Sequence, residues 1–196
     1  MKLKINNNIE AILFDMVGVL LFKKGNYAPK TKEEVTAEKI EELYNHLDDK
    51  KLLSDLKNKL RLTNEEISKA LPYIPKKYER SNELWNLLPE LKKKYKLAVV
   101  NNGNALALKY WKERFDFSIF DVFINSAEVG FKKPNPEIYL ITCERLKVKP
   151  ENCLFMDDLK ENILIAEKLK MKTIWWEKDN EDEGLKKFIS SMNLIR

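Results

Sequence analysis

The sequence at residues 11–20 reads AILFDMVGVL, and this stretch decides the fold. Its first four residues are apolar, and a carboxylate, Asp15, follows them directly. A short apolar run that stops at a polar residue is typical of a buried strand in a parallel sheet. Ligands of open α/β sheets bind beyond the carboxyl ends of the strands. The stretch therefore predicts a buried strand with a functional carboxylate at its end.

Four more apolar runs of this kind follow along the chain, at residues 96–100, 122–124, 153–156 and 173–176. Helical patterns separate the later runs, at residues 104–114, 136–146 and 161–169. Asn135 followed by Pro136 is a typical helix start, with an Asn cap and Pro at the first helical position. This alternation predicts an α/β fold built on a doubly wound parallel sheet.

The segment from about residue 23 to residue 94 has a different pattern. It contains no strand-like run, and its apolar residues recur at helical spacing. The capping-box spacing of Thr and Glu occurs at residues 31–34 and 63–66. We therefore expect a small all-helical insertion at residues 23–94, between the first strand and the rest of the sheet. Residues 1–22 and 95–196 would form a Rossmann-like core.

Composition excludes several classes of protein. The 196 residues carry 36 Lys and Arg against 31 Asp and Glu, a net charge of +5, whereas nucleic-acid binders usually show a more lopsided basic patch. No apolar run reaches the roughly 18–20 residues of a membrane span, and we expect no membrane partner. The N-terminus lacks the apolar region of a signal peptide. Only two cysteines are present, without a Cys/His cluster, which favours a reducing, cytoplasmic location.

Polar residues stand where the predicted strands end. They are Asp15 after the first strand, Asn101, Asn102 and Gly103 after the second, Lys133 beyond the third, and Asp157 and Asp158 after the fourth. Because these strand ends meet at one edge of a parallel sheet, we expect the residues to converge. Asp15 and Asp158 offer the oxygen ligands that Mg²⁺ prefers. Lys133 could neutralise a phosphate, while free backbone N–H groups around Asn102 and Gly103 hold its oxygens.

These stretches resemble, in order and spacing, the four motifs of the haloacid dehalogenase-like (HAD) hydrolase superfamily. The matching sequences are FDMVGV at residues 14–19, VVNNGN at 99–104, GFKKPNPEIY at 130–139 and LFMDDLKENI at 154–163. The resemblance extends over nearly the whole chain. It implies that residues 23–94 form the small helical cap that closes over the active site in one branch of the family.

The resemblance also implies covalent catalysis on a small phosphorylated substrate. Asp15 would attack phosphorus in line to give an aspartyl-phosphate, which water then hydrolyses. Lys133 would stabilise the negative charge, and Asn101 would donate a hydrogen bond to the phosphate. The groups that match the family's magnesium ligands are the Asp15 side chain, the Val17 backbone carbonyl and the Asp158 carboxylate, with Asp157 behind them.

Two positions depart from the family pattern. Phosphatases of the family have a second Asp as general acid and base where this chain has Val17. General acid–base catalysis contributes about 10²–10⁴-fold, or on the order of 3–5 kcal/mol of barrier. A phosphate monoester should therefore react slowly, whereas an acyl phosphate or phosphoanhydride should suffer less. Asn101 stands where the family usually has Ser or Thr, although an amide can still donate to a phosphoryl oxygen.

Two functions stay open at this point. One is a Mg²⁺-dependent phosphohydrolase, and the other is a catalytically weak or inactive relative that binds a phosphorylated ligand or a protein partner. The dehalogenase branch of the family needs no metal, whereas Asp157 and Asp158 retain a metal-type motif here. The phosphonate branch uses a cap lysine to form an imine, and none of the lysines at residues 23–94 is distinguished by the sequence.

Overall fold

The computed structural model describes residues 8–43, 48–177 and 181–192. The strands are β1 (Ala11–Phe14), β2 (Leu21–Lys23), β3 (Tyr78–Arg80), β4 (Lys96–Asn101), β5 (Val122–Asn125), β6 (Cys153–Asp157) and β7 (Lys172–Trp175). The α-helices are α1 (Lys32–Glu42), α2 (Asp49–Leu60), α3 (Asn64–Ala70), α4 (Asn82–Lys92), α5 (Leu108–Arg114), α6 (Ser126–Val129), α7 (Pro136–Leu146), α8 (Lys160–Lys168) and α9 (Glu181–Ser191).

Five strands form one parallel sheet in the order β5-β4-β1-β6-β7. The chain builds outward from β1 through β4 to β5, and then crosses back to add β6 and β7 on the other side. This is the doubly wound arrangement that the sequence predicts, and all five predicted strands are present. The order of the strands reverses between β1 and β6, which is where such sheets bind ligands.

β1 lies in the middle of the sheet and carries side chains to both of its faces. Ile12 and Phe14 belong to one buried hydrophobic cluster, whereas Ala11 and Leu13 belong to a second. All four are fully buried, because successive side chains of a strand point to opposite faces and helices cover both faces of a parallel sheet. Residues of α7 and α8 complete the second cluster. The sheet is therefore the middle layer between two cores.

The segment between residues 23 and 94 is helical, as the sequence predicts, except for one short strand. It contains α1 to α4, and both capping boxes are present, Thr31 with Glu34 and Thr63 with Glu66. β3 pairs antiparallel with β2 in a separate two-stranded sheet, so the expectation of an insertion without strands is corrected here. Three residues are too few to establish the alternation by which a strand is recognised in a sequence.

Helices of the sheet region begin at or near the predicted residues. α7 spans Pro136–Leu146 as predicted, and the Asn135 side chain caps it by accepting a backbone N–H of the first turn. The helix expected at residues 104–114 begins only at Leu108. The residues before it form a turn, in which the Asn104 side chain accepts a backbone N–H. Such side-chain bonds favour turns over helix interiors.

Two further sequence expectations concern the cysteines and membranes. Cys143 and Cys153 are both buried thiols, with their Sγ atoms 3.7 Å apart. Within the part of the chain that the structure describes, no helix combines the length and the apolar character that crossing a membrane requires.

The central position of β1 gives a stability prediction. Leu13→Ala removes a fully buried side chain from the second cluster, and we expect the free energy of unfolding to fall by about 2–5 kcal/mol. Urea unfolding followed by circular dichroism measures the loss. The matched control is Leu164→Ala, because the Leu164 side chain is 56% exposed and its removal should change stability by no more than about 0.5 kcal/mol. Equal losses in the two variants would contradict the packing described.

Candidate active site

Three carboxylates meet at the edge of the sheet where the strand order reverses. Asp15 follows β1 directly, Asp157 is the last residue of β6, and Asp158 comes next. Each offers a carboxylate oxygen, and the three oxygens lie within 4.8 Å of one another. The sequence predicts this convergence, and the parallel pairing of β1 with β6 produces it. An acidic cluster of this kind needs a cation to balance it.

Lys133 supplies one such cation. Its Nζ lies 2.7 Å from Asp15 Oδ1 and 2.8 Å from Asp157 Oδ2, and the residue is only 3% exposed. The Asn102 side chain holds its backbone, with Oδ1 accepting the Lys133 N–H at 2.8 Å and Nδ2 donating to the Lys133 carbonyl at 2.9 Å. The lysine is therefore fixed at both its backbone and its ammonium end.

Asp157 is fully buried and uses both of its carboxylate oxygens within the protein. Oδ2 faces Lys133, while Oδ1 accepts the Leu159 backbone N–H at 2.8 Å and the Asn162 amide at 2.9 Å. These bonds join the end of β6 to the start of α8. Asp157 therefore positions Lys133 and the start of α8.

Asp158 packs against the turn that follows Asp15. A Cβ atom built on Gly18 would lie 2.7 Å from the Asp158 carboxyl carbon, and Gly18 has φ of +100°. Only glycine satisfies both the close approach and this backbone conformation without strain. On the other side, the Trp175 indole donates to the Asp158 carbonyl at 2.9 Å. The position of Asp158 is therefore set by a turn and by the end of β7.

The charges of the cluster shift the protonation equilibria. Burial raises the pKa of Asp15 to about 7, and Asp157 and Asp158 act in the same direction, against the opposing effect of Lys133. Burial alone would lower the pKa of Lys133, but the Asp15 and Asp157 carboxylates outweigh it and raise that pKa. The cluster therefore favours the charged form of Lys133 and disfavours the ionised form of Asp15.

This donor set fits a divalent cation. Mg²⁺ prefers oxygen ligands and is commonly held by one or two carboxylates together with a phosphate. Asp15, Asp157 and Asp158 are the acidic residues that the described part of the chain brings into one group of this kind. A second cation beside Asp15 would also favour its ionised form, which a nucleophilic carboxylate requires.

The end of β4 and the loop after it are held by hydrogen bonds to the end of β5 and the start of α6. Asn101 Nδ2 donates to Asn125 Oδ1 at 3.1 Å, which uses one of its two N–H groups. The Gly103 N–H donates to the Ser126 hydroxyl at 3.0 Å. The expectation of a free backbone N–H at Gly103 is therefore corrected, because the end of β5 lies beside β4 and offers an acceptor. Asn125 follows the third apolar run, so the strand-end rule could have singled it out.

A pocket of about 210 Å³ opens beside this cluster. Its lining residues are Met16, Val17, Glu41, Tyr78, Asn101, Asn102, Gly103, Asn104, Leu108 and Trp111. Val17 thus presents an apolar side chain, 36% exposed, where the family resemblance leads one to expect a carboxylate. Glu41 and Tyr78 come from the segment at residues 23–94, and the sequence gives no sign that they reach this place.

Comparison with known proteins identifies the relatives of this chain. The family model for haloacid dehalogenase-like hydrolases matches residues 8–176. Glyceraldehyde 3-phosphate phosphatase of Methanopyrus kandleri is 36% identical over 84 residues, which are 41% of this chain and 35% of that protein. The chain thus spans only part of that relative. Phosphorylated carbohydrates phosphatase of Thermotoga maritima is 24% identical over 184 residues, which are 85% of this chain and 84% of that protein.

Solved structures share the fold. A HAD family enzyme from Bacteroides thetaiotaomicron, in complex with magnesium and inorganic phosphate, has a TM-score of 0.66 at 20% identity, covering 84% of this chain and 92% of that chain. A HAD phosphatase from Thermococcus onnurineus has a TM-score of 0.56 at 23% identity, covering 85% of this chain and 86% of that chain.

The buried position of Lys133 gives a prediction for stability. Lys133→Met leaves Asp15 and Asp157 without their cation, and we expect the free energy of unfolding to fall by about 3–5 kcal/mol, the usual cost of breaking a buried ion pair. Urea unfolding without added divalent cations measures it. Lys57→Met, at an exposed position of α2, is the control and should change stability by no more than about 0.5 kcal/mol. A loss at position 133 as small as that of the control would refute the role of Lys133.

Proposed function

We propose that this chain, which belongs to the haloacid dehalogenase-like hydrolase family, is a cytoplasmic phosphohydrolase that acts on a small phosphorylated metabolite. One observation carries the proposal, namely the contact of Lys133 Nζ with both Asp15 and Asp157 at the ligand-binding edge of the sheet. The names of the relatives, which are phosphatases of glyceraldehyde 3-phosphate and of phosphorylated carbohydrates, support a substrate of this class.

Asp15 is the nucleophile in this proposal. One of its carboxylate oxygens forms a bond to phosphorus, while the bond from phosphorus to the leaving oxygen breaks and that oxygen departs with the electron pair. Water then attacks the phosphorus of the aspartyl-phosphate, loses a proton to the solvent, and releases inorganic phosphate. Asp15 returns as a free carboxylate, and its location directly after a rigid central strand keeps it in place through both steps.

Lys133 stabilises the negative charge on the phosphoryl oxygens as they pass from one bond to the next. Its ammonium is already in place, because Asp157 contacts Nζ and the Asn102 side chain holds the Lys133 backbone. The phosphate would replace part of its contact with Asp15. Asn101 keeps one amide N–H beyond its bond to Asn125, and this group is the proposed second donor to the phosphate. Asn102 and Gly103 shape the same side of the site.

Mg²⁺ is the proposed cofactor. Asp15 and Asp158 would hold it through their side chains and Val17 through its backbone carbonyl, since both oxygens of Asp157 already accept hydrogen bonds. When bound, the ion supplies charge neutralisation and Lewis-acid polarisation of a phosphoryl oxygen.

The proposed domain organisation follows the site. Residues 1–22 and 95–196 form the core that carries Asp15, Lys133 and Asp158, and residues 23–94 form a helical cap. The β2–β3 ribbon joins the two, since the Ser81 N–H donates to the Leu20 carbonyl at 3.0 Å. Glu41 and Tyr78 bring the cap to the wall of the pocket.

Val17 decides which leaving groups are suitable. Its side chain has no acidic proton to donate, and a poor leaving group such as an alkoxide must be protonated as it departs. An acyl phosphate releases a carboxylate, which is stable without protonation, and is the proposed preferred substrate type. The same residue favours the second candidate function, a protein that binds a phosphorylated ligand or a protein partner and turns over slowly.

Phosphate release separates the two candidates. We expect the purified protein with Mg²⁺ to hydrolyse acetyl phosphate faster than p-nitrophenyl phosphate or glucose 6-phosphate, and Asp15→Asn to reduce release to the uncatalysed rate. Omission of Mg²⁺ should abolish release as well. Asp116→Asn, at an exposed position, is the control and should retain it. Phosphate release that persists in Asp15→Asn would refute the assignment of Asp15 as the nucleophile. Tight vanadate binding without any turnover would favour the second candidate, a protein that binds a phosphorylated ligand.

Val17→Asp tests whether the missing acid is the main defect. We expect it to raise hydrolysis of phosphate monoesters by about 10²–10⁴-fold, the usual contribution of a general acid and base, and to raise acetyl phosphate hydrolysis less. In the control Val17→Asn, the new side chain has nearly the same shape as Asp but no transferable proton. This variant should not hydrolyse phosphate monoesters faster than the wild-type protein. The kcat for p-nitrophenyl phosphate is the measurement. No gain with Asp, or an equal gain with Asn, would contradict this explanation.

A further inference from the structure

Among the residues that the structure describes, Glu41 is the one carboxylate that lines the pocket beside Asp15. It lies near the end of α1 and lines the pocket together with Tyr78 and with residues 101–104 at the end of β4. Met16 and Val17, the residues directly after Asp15, line the same pocket. A ligand whose phosphate lies at Asp15 and Lys133 would therefore extend its remaining atoms toward Glu41.

The Glu41 carboxylate is fixed by two neighbours. Tyr78 donates its hydroxyl to Glu41 Oε1 at 2.7 Å, and Lys77 Nζ pairs with Glu41 Oε2. Lys77 also pairs with Glu38 at 2.6 Å, and Glu38 with Lys23 at 3.2 Å. A side chain held in this way cannot turn away from a ligand at low cost, because the move would leave a buried lysine with one partner fewer.

Glu41 is the residue of this ion-pair network that lines the pocket, and it is negatively charged. The Lys77 side chain is 1% exposed and does not line the pocket, whereas the Glu41 side chain is 24% exposed and does. Two like charges in a partly buried site repel each other more strongly than in water. A second anionic group on the ligand would therefore be repelled by Glu41.

A hydroxyl group, in contrast, fits this wall. A carboxylate has about four lone-pair sites and can accept further hydrogen bonds besides those from Tyr78 and Lys77. Asn104, another lining residue, is 4% exposed, and its Nδ2 has no hydrogen-bond partner within the described residues. Leu108 and Trp111 supply apolar walls. The wall thus combines an exposed acceptor with apolar surface, whereas the Asn104 Nδ2 is itself buried, and none of the described lining residues carries a positive charge.

We propose that Glu41 determines specificity by rejecting phosphates that carry a second negative charge, so that the organic part of the ligand, whether joined to the phosphate as an acyl group or as an ester, is a small, neutral, hydroxylated carbon chain. This inference rests on the proposed phosphate site at Asp15 and Lys133. Specificity of this kind comes from an unfavourable contact with the wrong ligand as much as from a favourable one with the right ligand. Glu41 touches the ligand without taking part in bond breaking, and is a specificity-determining residue.

Two matched ligands test the inference. Glycerol 3-phosphate and 3-phosphoglycerate have the same three-carbon skeleton and the same phosphate, and differ in a hydroxymethyl group against a carboxylate. Calorimetric titration with Mg²⁺ measures their Kd values without requiring turnover. We expect the wild-type protein to bind glycerol 3-phosphate at least about tenfold more tightly. Equal affinities, or tighter binding of 3-phosphoglycerate, would overturn the inference without any variant.

Glu41→Gln removes the charge and keeps the shape. We expect the ratio of the two Kd values to fall to within about threefold, mainly because 3-phosphoglycerate binds more tightly. Glu41→Asp keeps the charge and should keep a ratio above that of Glu41→Gln. Glu42→Gln is the matched control, since Glu42 is the exposed next residue of α1, and should leave the ratio unchanged. An unchanged ratio in Glu41→Gln would overturn the role of Glu41.

Inorganic phosphate separates this inference from the function on which it rests. If inorganic phosphate fails to bind to the wild-type protein with Mg²⁺, the proposed phosphate site itself is refuted. If inorganic phosphate binds and the ratio of the two organic ligands does not depend on Glu41, the site stands and the specificity proposal alone fails. Binding of inorganic phosphate with no binding of either organic ligand also overturns the specificity proposal.

Discussion

The site depends on the contact of the Lys133 ammonium with the carboxylates of Asp15 and Asp157. The two carboxylates stand at the ends of β1 and β6, neighbouring strands that lie about 140 residues apart in the sequence. Repulsion between buried like charges would otherwise oppose the pairing of these strand ends. Lys133 converts that repulsion into attraction, and the Asn102 side chain holds its backbone in turn. Lys133 therefore joins the ends of β1 and β6 through its ammonium, and the loop after β4 through its backbone.

In the proposed mechanism, the same contact makes turnover depend on the side chain at position 17. With Lys133 already committed to two carboxylates, the described residues around Asp15 provide charge and hydrogen-bond acceptors, whereas the Val17 side chain that faces the pocket can transfer no proton. An arrangement of this kind can stabilise a phosphoryl group well and still release a poor leaving group slowly. Under the proposed mechanism, binding and turnover are therefore separate properties, and the side chain at position 17 limits turnover alone.

Much of the fold could be predicted from the sequence, because each strand of the parallel sheet is a short apolar run that stops at a polar residue. The convergence of Asp15, Lys133, Asp157 and Asp158 was predictable for the same reason, since parallel strands end at one edge. The bond from the Gly103 N–H to Ser126 was not, because it depends on the exact neighbour across β4 and β5. This pairing leaves no trace in the spacing of residues along the chain.

Contacts between distant segments were also beyond the sequence. Glu41 lies in a helix whose pattern shows only which face is apolar, and its arrival in the pocket depends on how α1 packs over the core. Lys77 is one of many lysines in its segment, and only the structure distinguishes it as buried and paired with Glu38 and Glu41. Those two ion pairs occupy its amine, which gives no support to the imine chemistry of the phosphonate branch.

The two hydrophobic clusters on either side of the sheet have a consequence for how this protein can change. The described residues of the segment at 23–94 contribute to the first cluster and not to the second, which consists of residues from β1, β4 to β7, α6 to α8 and their connections. Mutations in the insertion therefore leave one entire face of the sheet undisturbed. A library that diversifies the pocket-facing residues of the insertion would leave the second cluster, which packs against β1 and β6, unchanged. Ligand preference could therefore change, in evolution or in the laboratory, while the packing of these strands stays the same.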